Sequence, residues 1–135
     1  MLKPTNTNYL FKFSIVTAVY NVAPYLSEAI DSILSQDIGF LESVELILVD
    51  DGSTDASGAI CDEYQHKYPE NIVVIHKPNG GVASARNAGI AVARGRYVNF
   101  MDSDDKLTPD TLSSVYDFFI EHVKEVDLVS VPIFY

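Results

Sequence analysis

The 135 residues carry nine Lys and Arg against nineteen Asp and Glu, so the formal net charge is −10 at pH 7. Such an acidic surface repels nucleic-acid phosphates and anionic lipid headgroups, which argues against both as main partners. The length fits one domain with a sizeable core, and 47 % hydrophobic residues is typical of a globular protein. Because Cys61 is the only cysteine, an internal disulfide and a cysteine-based zinc cluster are both excluded.

The sequence contains neither a secretory signal nor a membrane-spanning run. Residues 1–8 lack an apolar stretch, and the longest apolar runs are far shorter than the ~20 residues that cross a bilayer. We therefore expect no transmembrane segment in this chain and a cytoplasmic location. A full-length protein bound peripherally at the inner face of a membrane is the second option.

The first half of the chain predicts two strands and two helices. Residues 11–19 read as a strand, and Pro24 fits the first turn of a helix, where its missing N–H is tolerated. Residues 44–49 predict the second strand, which leads into the turn Asp50-Asp51-Gly52-Ser53. The candidate N-caps of the following helix are Ser53, Thr54 and Asp55.

The second half continues the alternation. Residues 72–75 predict a buried third strand, and 82–93 a helix that Gly95 would cap. Residues 97–101 predict a fourth strand, Thr108-Pro109 a further helix that reaches Val123, and 127–132 a fifth strand. Such alternation indicates an α/β fold with a mainly parallel sheet flanked by helices. The abrupt end at Tyr135 suggests a fragment of a longer protein.

Polar residues follow three of the predicted strands. They are Tyr20-Asn21, Asp50-Asp51 and Asp102-Ser103-Asp104-Asp105. Because ligands of open parallel sheets bind outside the carboxyl ends of the strands, we expect these residues at one edge. Clustered carboxylates need a compensating cation, and an all-oxygen ligand set suits Mg²⁺ or Mn²⁺ rather than zinc.

Each motif taken alone also has a purely structural interpretation. Asp102-Ser103-Asp104 is compatible with a solvated acidic turn, and Asp50-Asp51-Gly52-Ser53 with a tight turn that opens a helix. Tyr20 would either stack on a base or pack on the first helix. Arg86 would either pair with an acidic strand end or contact a diphosphate. The three histidines lack metal-ligand spacing, so each is expected at the surface or satisfied by neighbours, and Cys61 is expected in the core.

Four motifs in a fixed order carry more weight than any one of them. They are Ser14-Ile15-Val16-Thr17-Ala18-Val19-Tyr20-Asn21, Val49-Asp50-Asp51-Gly52-Ser53-Thr54-Asp55, Asn79-Gly80-Gly81 with Ala85-Arg86-Asn87, and Gly95-Arg96-Tyr97 leading to Asp102-Ser103-Asp104-Asp105. In this order they closely resemble the family 2 glycosyltransferases, over roughly residues 14–112. The resemblance implies the GT-A fold, a Rossmann-like three-layer sandwich. It also implies one nucleotide-diphospho-sugar-binding domain over residues 1–135, the N-terminal part of a longer enzyme.

The resemblance further implies an inverting glycosyltransferase. A sugar would pass from a nucleotide-diphosphate donor, usually a UDP-sugar, to a saccharide or lipid-linked acceptor, with Mn²⁺ or Mg²⁺ on the diphosphate. The residues implied in donor binding are Ala18, Tyr20, Asn21, Asp51, Asn79, Arg86, Asp102 and Ser103. The implied metal ligands are Asp102 and Asp104, the ends of the Asp-x-Asp motif.

The catalytic base is expected beyond Tyr135, so these 135 residues are expected to bind donor but to transfer poorly. A non-catalytic nucleotide-sugar-binding or interaction module of the same fold is the alternative. A receiver-like phosphotransfer domain is disfavoured, because its acidic pair follows the first strand and here the pair follows the second.

Overall fold

The computed structural model describes residues 9–122. Within them, strands alternate with helices, as the sequence predicts. The strands are β1 (Phe11–Val19), β2 (Val44–Asp51), β3 (Ile72–Lys77) and β4 (Gly95–Phe100). The helices are α1 (Ala23–Leu34), α2 (Phe40–Ser43), α3 (Ser57–Lys67), α4 (Val82–Val92) and α5 (Thr111–Glu121). None of these helices combines the length and the hydropathy that a membrane crossing requires.

The strands form one parallel sheet in the order β3-β2-β1-β4. All of β2 is buried. The prediction that the third strand is buried is wrong: β3 lies at the edge of the sheet, and of its residues only Ile72 is buried. At the carboxyl ends, Val19 of β1 pairs with Asp50, and Val16 pairs with Phe100 of β4. The chain proceeds outward from β1 through β2 to β3 and then returns to the other side of β1. Such a reversal opens a crevice beside β1, where open α/β sheets bind their ligands.

Helices cover both faces of the sheet. On one face, α4 places Ala85 against Val16, Ile47 and Val49. On the other face, α1, α3 and α5 form the larger core. Its fully or nearly fully buried members include Phe13, Ile15, Leu26, Ile30, Ile33, Leu46, Leu48, Cys61, Ile72 and Leu112. These three layers confirm the predicted α/β architecture, and Cys61 lies in the core as expected.

A buried acid ties the amino end of the sheet together. Glu45 is fully buried, and its carboxylate accepts hydrogen bonds from Ser14 Oγ at 2.8 Å and from Arg94 Nε at 2.6 Å. The Arg94 backbone N–H adds a third bond at 2.9 Å, and Gly95 donates to Ser14 Oγ at 2.8 Å. The paired charge therefore holds the start of β4 against β1 and β2, where an unpaired one would be destabilising.

The prediction that Gly95 caps α4 is wrong. The helix ends at Val92, its C-cap Ala93 has extended backbone, and Gly95 begins β4. A Cβ on Gly95 would lie 2.5 Å from the backbone nitrogen of Ser14 and 2.6 Å from the carbonyl carbon of Phe13. Glycine is thus required by the close approach of β4 to β1 and not by a left-handed cap.

Several predicted boundaries also shift. β2 and β3 continue to Asp51 and Lys77, because their last residues still pair with each other across the sheet. β4 covers Gly95–Phe100, whereas 97–101 was expected.

The helix starts differ as well. The N-cap of α3 is Ala56, and Asp55 instead accepts a bond from the Ser57 N–H at 2.9 Å. α5 begins at Thr111, after a turn in which Thr108 bonds to Asp110, and the short α2 was not predicted. The expected helical position Val123 and the expected strand 127–132 lie outside the described residues.

Candidate functional site

The carboxyl ends of β1 and β2 and the segment after β4 enclose a cleft of about 240 Å³. It lies at the crevice that the strand order creates. Its lining residues are Ala18, Tyr20, Val22, Asp51, Val82, Asp102, Ser103 and Asp104. Asp51 and Asp104 therefore face the same cleft, as the convergence of parallel strand ends predicts. A larger cavity of about 350 Å³ lies beside α2, and Glu42 is the only charged residue among those lining it.

Three acids cluster on one wall of the cleft. Carboxylate oxygens of Asp102, Asp104 and Asp105 all lie within 4.8 Å of one another. Asp105 is buried, whereas Asp102 and Asp104 are exposed toward solvent. The turn that brings them together is closed by a bond from the Asp105 N–H to the Asp102 carbonyl at 3.1 Å. This oxygen-only donor set fits Mg²⁺ or Mn²⁺, and a divalent cation would relieve the mutual repulsion.

Asp51 forms the opposite wall and is held by three donors. Its Oδ1 accepts from Lys77 Nζ at 2.8 Å and from the Gly80 N–H at 2.9 Å, and its Oδ2 accepts from the Gly81 N–H at 2.9 Å. The bond from Lys77 is the main cause that holds the pKa of Asp51 below its ordinary value, and burial opposes it. Asp51 is therefore an ionised, oriented acceptor at neutral pH.

Asn79 fixes the glycine-rich segment to the end of β2. Its side-chain amide donates to the backbone carbonyl of Asp51 at 3.0 Å, and Asn79 is not among the residues that line the cleft. Gly81, with φ of 92°, is the N-cap of α4, and its carbonyl accepts a hydrogen bond from the Ala85 N–H at 3.1 Å. The observed role of Asn79 is to fasten this segment to the end of β2. Its expected role in donor binding stays a prediction.

Tyr20 and Asn21 play different parts. Tyr20 lines the cleft and is 50 % exposed, which leaves its ring available to a ligand. Asn21 does not line the cleft. Its Oδ1 accepts from the Thr54 N–H at 2.8 Å, and its own N–H donates to Ser53 Oγ at 3.1 Å. Asn21 thus joins the loop after β1 to the turn after β2, and direct contact of Asn21 with a donor stays a prediction.

Arg86 pairs with an acidic strand end, which is the structural one of its two interpretations. A guanidinium nitrogen lies 3.6 Å from Asp102 Oδ1, and the group stacks over the Phe100 ring at 5.3 Å. Both side chains are substantially exposed, so the pair is weak and can be rearranged by a ligand. Arg86 is not a lining residue of the cleft, so its contact with a diphosphate also stays a prediction.

Sequence reasoning assigned no role to two residues that shape the site. Lys77 lies 26 positions from Asp51 and meets it only because β3 pairs with β2. Asp105 was visible in the acidic motif, but its approach to Asp102 and Asp104 depends on the turn. His76 contacts Asp50 at 2.8 Å on the opposite face of the sheet, so it is satisfied by neighbours as expected.

The family comparison matches most of the chain. The sequence model described as "Glycosyl transferase family 2" matches residues 14–135. The minor teichoic acid biosynthesis protein GgaB of Bacillus subtilis is 51 % identical over 128 residues. This alignment covers 95 % of the chain but only 14 % of GgaB, so the chain spans a small part of that relative.

Solved structures share the fold. S. aureus TarS 1–349, determined in complex with UDP, superimposes with a TM-score of 0.76 at 32 % identity. The match covers 90 % of this chain and 38 % of that one. The mannosyltransferase PcManGT of Pyrobaculum calidifontis, in complex with GDP-Man and Mn²⁺, gives 0.73 at 25 % identity, over 83 % of this chain and 33 % of that one. The four-stranded parallel sheet therefore has the GT-A fold.

Proposed function

The chain belongs to glycosyl transferase family 2, and from this membership we propose that it is the donor-binding part of an inverting glycosyltransferase. The donor is a nucleoside-diphosphate sugar, with UDP as the carrier. One observation carries the proposal: an oriented carboxylate, Asp51, faces a cluster of acids across a single cleft. The similarity to TarS, whose structure was determined in complex with UDP, supports the choice of nucleotide.

The Asp51 side of the cleft is proposed to bind the nucleoside. Asp51 has three protein donors, whereas a carboxylate can accept about four hydrogen bonds, so one N–H or O–H of a ligand can still be accepted. Tyr20, half exposed on the same cleft, offers a ring face on which a base can stack. Ala18 and Ser103 also line the cleft and complete the proposed donor contacts.

The acidic wall is proposed to hold the diphosphate through a divalent metal. Asp102 and Asp104 line the cleft and are the proposed ligands, with the buried Asp105 beside them. When bound, Mg²⁺ or Mn²⁺ supplies positive charge that stabilises the departing diphosphate. The similarity to PcManGT, whose complex contains Mn²⁺ together with GDP-Man, supports this choice of ion. Arg86, already near Asp102, is the proposed second cation for the phosphates.

The acceptor is proposed to be a saccharide or lipid-linked chain of cell-wall polymer synthesis. GgaB, named as a minor teichoic acid biosynthesis protein, supports this class. An inverting displacement also needs a general base that removes the proton of the acceptor hydroxyl. We assign that role to none of Asp51, Asp102 and Asp104, because the proposal already assigns them to donor and metal.

Metal-dependent binding of UDP tests the proposal. Calorimetric titration with and without Mn²⁺ is expected to show tighter binding with the metal for wild type. Asp104→Asn removes one charged ligand, and we expect it to weaken the Mn²⁺-dependent binding by at least about 10-fold, since changes to the outer shell of a metal site typically cost about 10- to 100-fold. Asp117→Asn is the matched control, because it removes an exposed carboxylate of α5 that does not line the cleft.

Two results would contradict the assignment. If Asp104→Asn binds UDP with the same Mn²⁺ dependence as Asp117→Asn, then Asp104 is not a ligand. If wild type binds GDP as tightly as UDP, then the cleft does not select the uracil base.

A further inference from the structure

His76 bridges two acids outside the cleft. It is the penultimate residue of β3, and its Nδ1 lies 2.8 Å from Asp50 Oδ2 while its Nε2 lies 2.8 Å from Asp62 Oδ1. Ionised carboxylates only accept hydrogen bonds, so both bonds form fully when both ring nitrogens carry a proton. The geometry therefore favours the imidazolium form of His76.

The surrounding groups favour the same charge state. The bond to Asp50, and then the bond to Asp62, raise the pKa of His76 above its ordinary value, although burial acts in the other direction. Burial acts to raise the pKa of Asp50, but hydrogen bonds from Ser53 and His76 outweigh it and lower this pKa. From α3, the other titratable neighbour is Cys61, and burial raises its pKa to about 12, so its thiol stays neutral.

Asp50 connects this bridge to the cleft. Its Oδ1 accepts a hydrogen bond from the Ser53 N–H at 3.0 Å. Ser53 Oγ in turn accepts from the N–H of Asn21 at 3.1 Å, and Asn21 follows Tyr20, which lines the cleft. Hydrogen bonds through Asp50 and Ser53 therefore connect the His76 ring to the loop that carries Tyr20, and hydrogen-bond networks of this kind can carry energetic coupling between sites.

We propose that His76 is a positioning residue for donor binding: its doubly protonated ring fixes Asp50 and, through the turn after β2, the Tyr20 wall of the cleft. This inference rests on the proposed function. The nucleotide binds better to the imidazolium form, and by linkage its affinity falls as the ring loses a proton. Both bonds of His76 form at acidic pH. As the pH rises through its raised pKa, the neutral ring keeps one N–H, so one of the two bonds is lost.

The register of the sheet supplies an internal contrast. Asp50 pairs with His76 and Asp51 pairs with Lys77, so two consecutive acids are each held by a basic residue of β3. Consecutive side chains of a strand point to opposite faces, which puts the Lys77 pair beside the cleft and the His76 pair against α3. Histidine is the side-chain type whose ordinary pKa lies between pH 5 and 8, whereas the ordinary pKa of lysine lies far above this range. Of these two pairs, the His76 pair is therefore the one that can make donor binding depend on pH in this range.

The test measures the dissociation constant of UDP with Mg²⁺ across pH for three proteins. They are wild type, His76→Gln and the control His66→Gln, which removes an exposed histidine of α3. At about pH 6 we expect His76→Gln to bind at least about fivefold more weakly than wild type, the lower end of typical coupling between sites, and we expect this ratio to shrink by about pH 8.5. UDP itself titrates in this range, but equally for all three proteins, so their ratios isolate His76. His66→Gln should match wild type throughout.

A second measurement distinguishes failure of this inference from failure of the proposed function. In nucleotide-free wild type, the amide NMR signals of Ser53 and Asn21 should follow the titration of the His76 ring. Amides that do not respond, or a constant affinity ratio between wild type and His76→Gln at all pH values, overturn the role of His76. If wild type binds no UDP at any pH, the proposed function fails and the role of His76 in donor binding fails with it, while the amide titration still shows whether the ring controls the turn.

Discussion

Asp51 enters the cleft with most of its bonding capacity already used. Lys77, Gly80 and Gly81 hold both carboxylate oxygens from one side, which leaves about one acceptor position toward the cleft. A group fixed in this way loses little conformational freedom when a ligand arrives, so more of its interaction appears as affinity. A freely rotating surface acid would lack this advantage.

Lys77→Met tests how much this arrangement depends on one cation. The pKa of Asp51 is lowered in the folded state. The ionised carboxylate therefore stabilises the fold at pH values above the ordinary pKa of an aspartate, and this stabilisation is lost as the pH falls and Asp51 is protonated. We expect Lys77→Met to lower the free energy of unfolding by about 1.5–3 kcal/mol at neutral pH, as for other hydrogen bonds to charged groups. The difference from wild type should shrink as Asp51 becomes protonated. Urea denaturation at several pH values measures both effects.

Lys106→Met is the matched control. Lys106 also lies 2.8 Å from a carboxylate, that of Glu28, but both side chains are substantially exposed. An exposed ion pair contributes at most about 1 kcal/mol, so this variant should stay close to wild type. If both variants lower the free energy of unfolding equally, the burial of Asp51 does not make the Lys77 pair more stabilising than an exposed pair.

At the scale of the elements, the sequence predicted the strands and most helices because their patterns are local. Branched apolar runs identify β1, β2 and β3, and apolar residues at helical spacing identify α1. The common location of Asp51 and Asp104 was also predictable, since the carboxyl ends of parallel strands meet at one edge.

What the sequence could not supply depends on pairing in three dimensions. Glycine is equally suited to a helix cap and to a close strand contact, so the role of Gly95 follows only from the position of β1 beside it. The contact of Lys77 with Asp51 needs the strand register, and the bridge from His76 to Asp62 needs the position of α3 on β3. Long-range partners of this kind leave no spacing signal in one sequence.

Gly89 of α4 supports a prediction about how this helix packs on the sheet. A Cβ on Gly89 would collide with the Val16 side chain, which is 1 % exposed and has no free space to move into. Gly89→Ala gains about 1 kcal/mol in helix propensity, but overpacking a rigid core typically destabilises by about 1–3 kcal/mol, so we expect a net loss. Asn87→Ala, an exposed change in the same helix, should be neutral or slightly stabilising. Thermal unfolding compares them, and a Gly89→Ala variant as stable as wild type would mean that α4 can shift away from β1.

At the scale of the whole molecule, charge is distributed unevenly along the sheet. At the amino end, the buried acid Glu45 is paired: its carboxylate accepts hydrogen bonds from Arg94 and Ser14. At the carboxyl end, Asp102, Asp104 and Asp105 form a cluster of three acids. Arg86 lies near Asp102, but its single positive charge leaves this cluster with an excess of negative charge. In a chain whose net charge is −10, repulsion among these clustered acids opposes folding. A cation at the cleft would therefore stabilise the fold as well as serve the proposed reaction.

Salt and Mg²⁺ should stabilise the protein by separable mechanisms. NaCl screens the general repulsion, with a Debye length of about 10 Å at 0.1 M, and should raise the unfolding temperature of wild type and Asp104→Asn alike. MgCl₂ at equal ionic strength should add a further increase in wild type alone, since a bound ion stabilises only the folded cluster. At ten times its dissociation constant the ion would contribute about 1.4 kcal/mol, or roughly 4 °C for a domain of this size. Thermal scans of both proteins in each salt provide the measurement.

An Mg²⁺-specific increase in unfolding temperature that persists in Asp104→Asn would place the cation elsewhere. If wild type shows no Mg²⁺-specific increase, the three carboxylates do not form a metal site in the nucleotide-free protein.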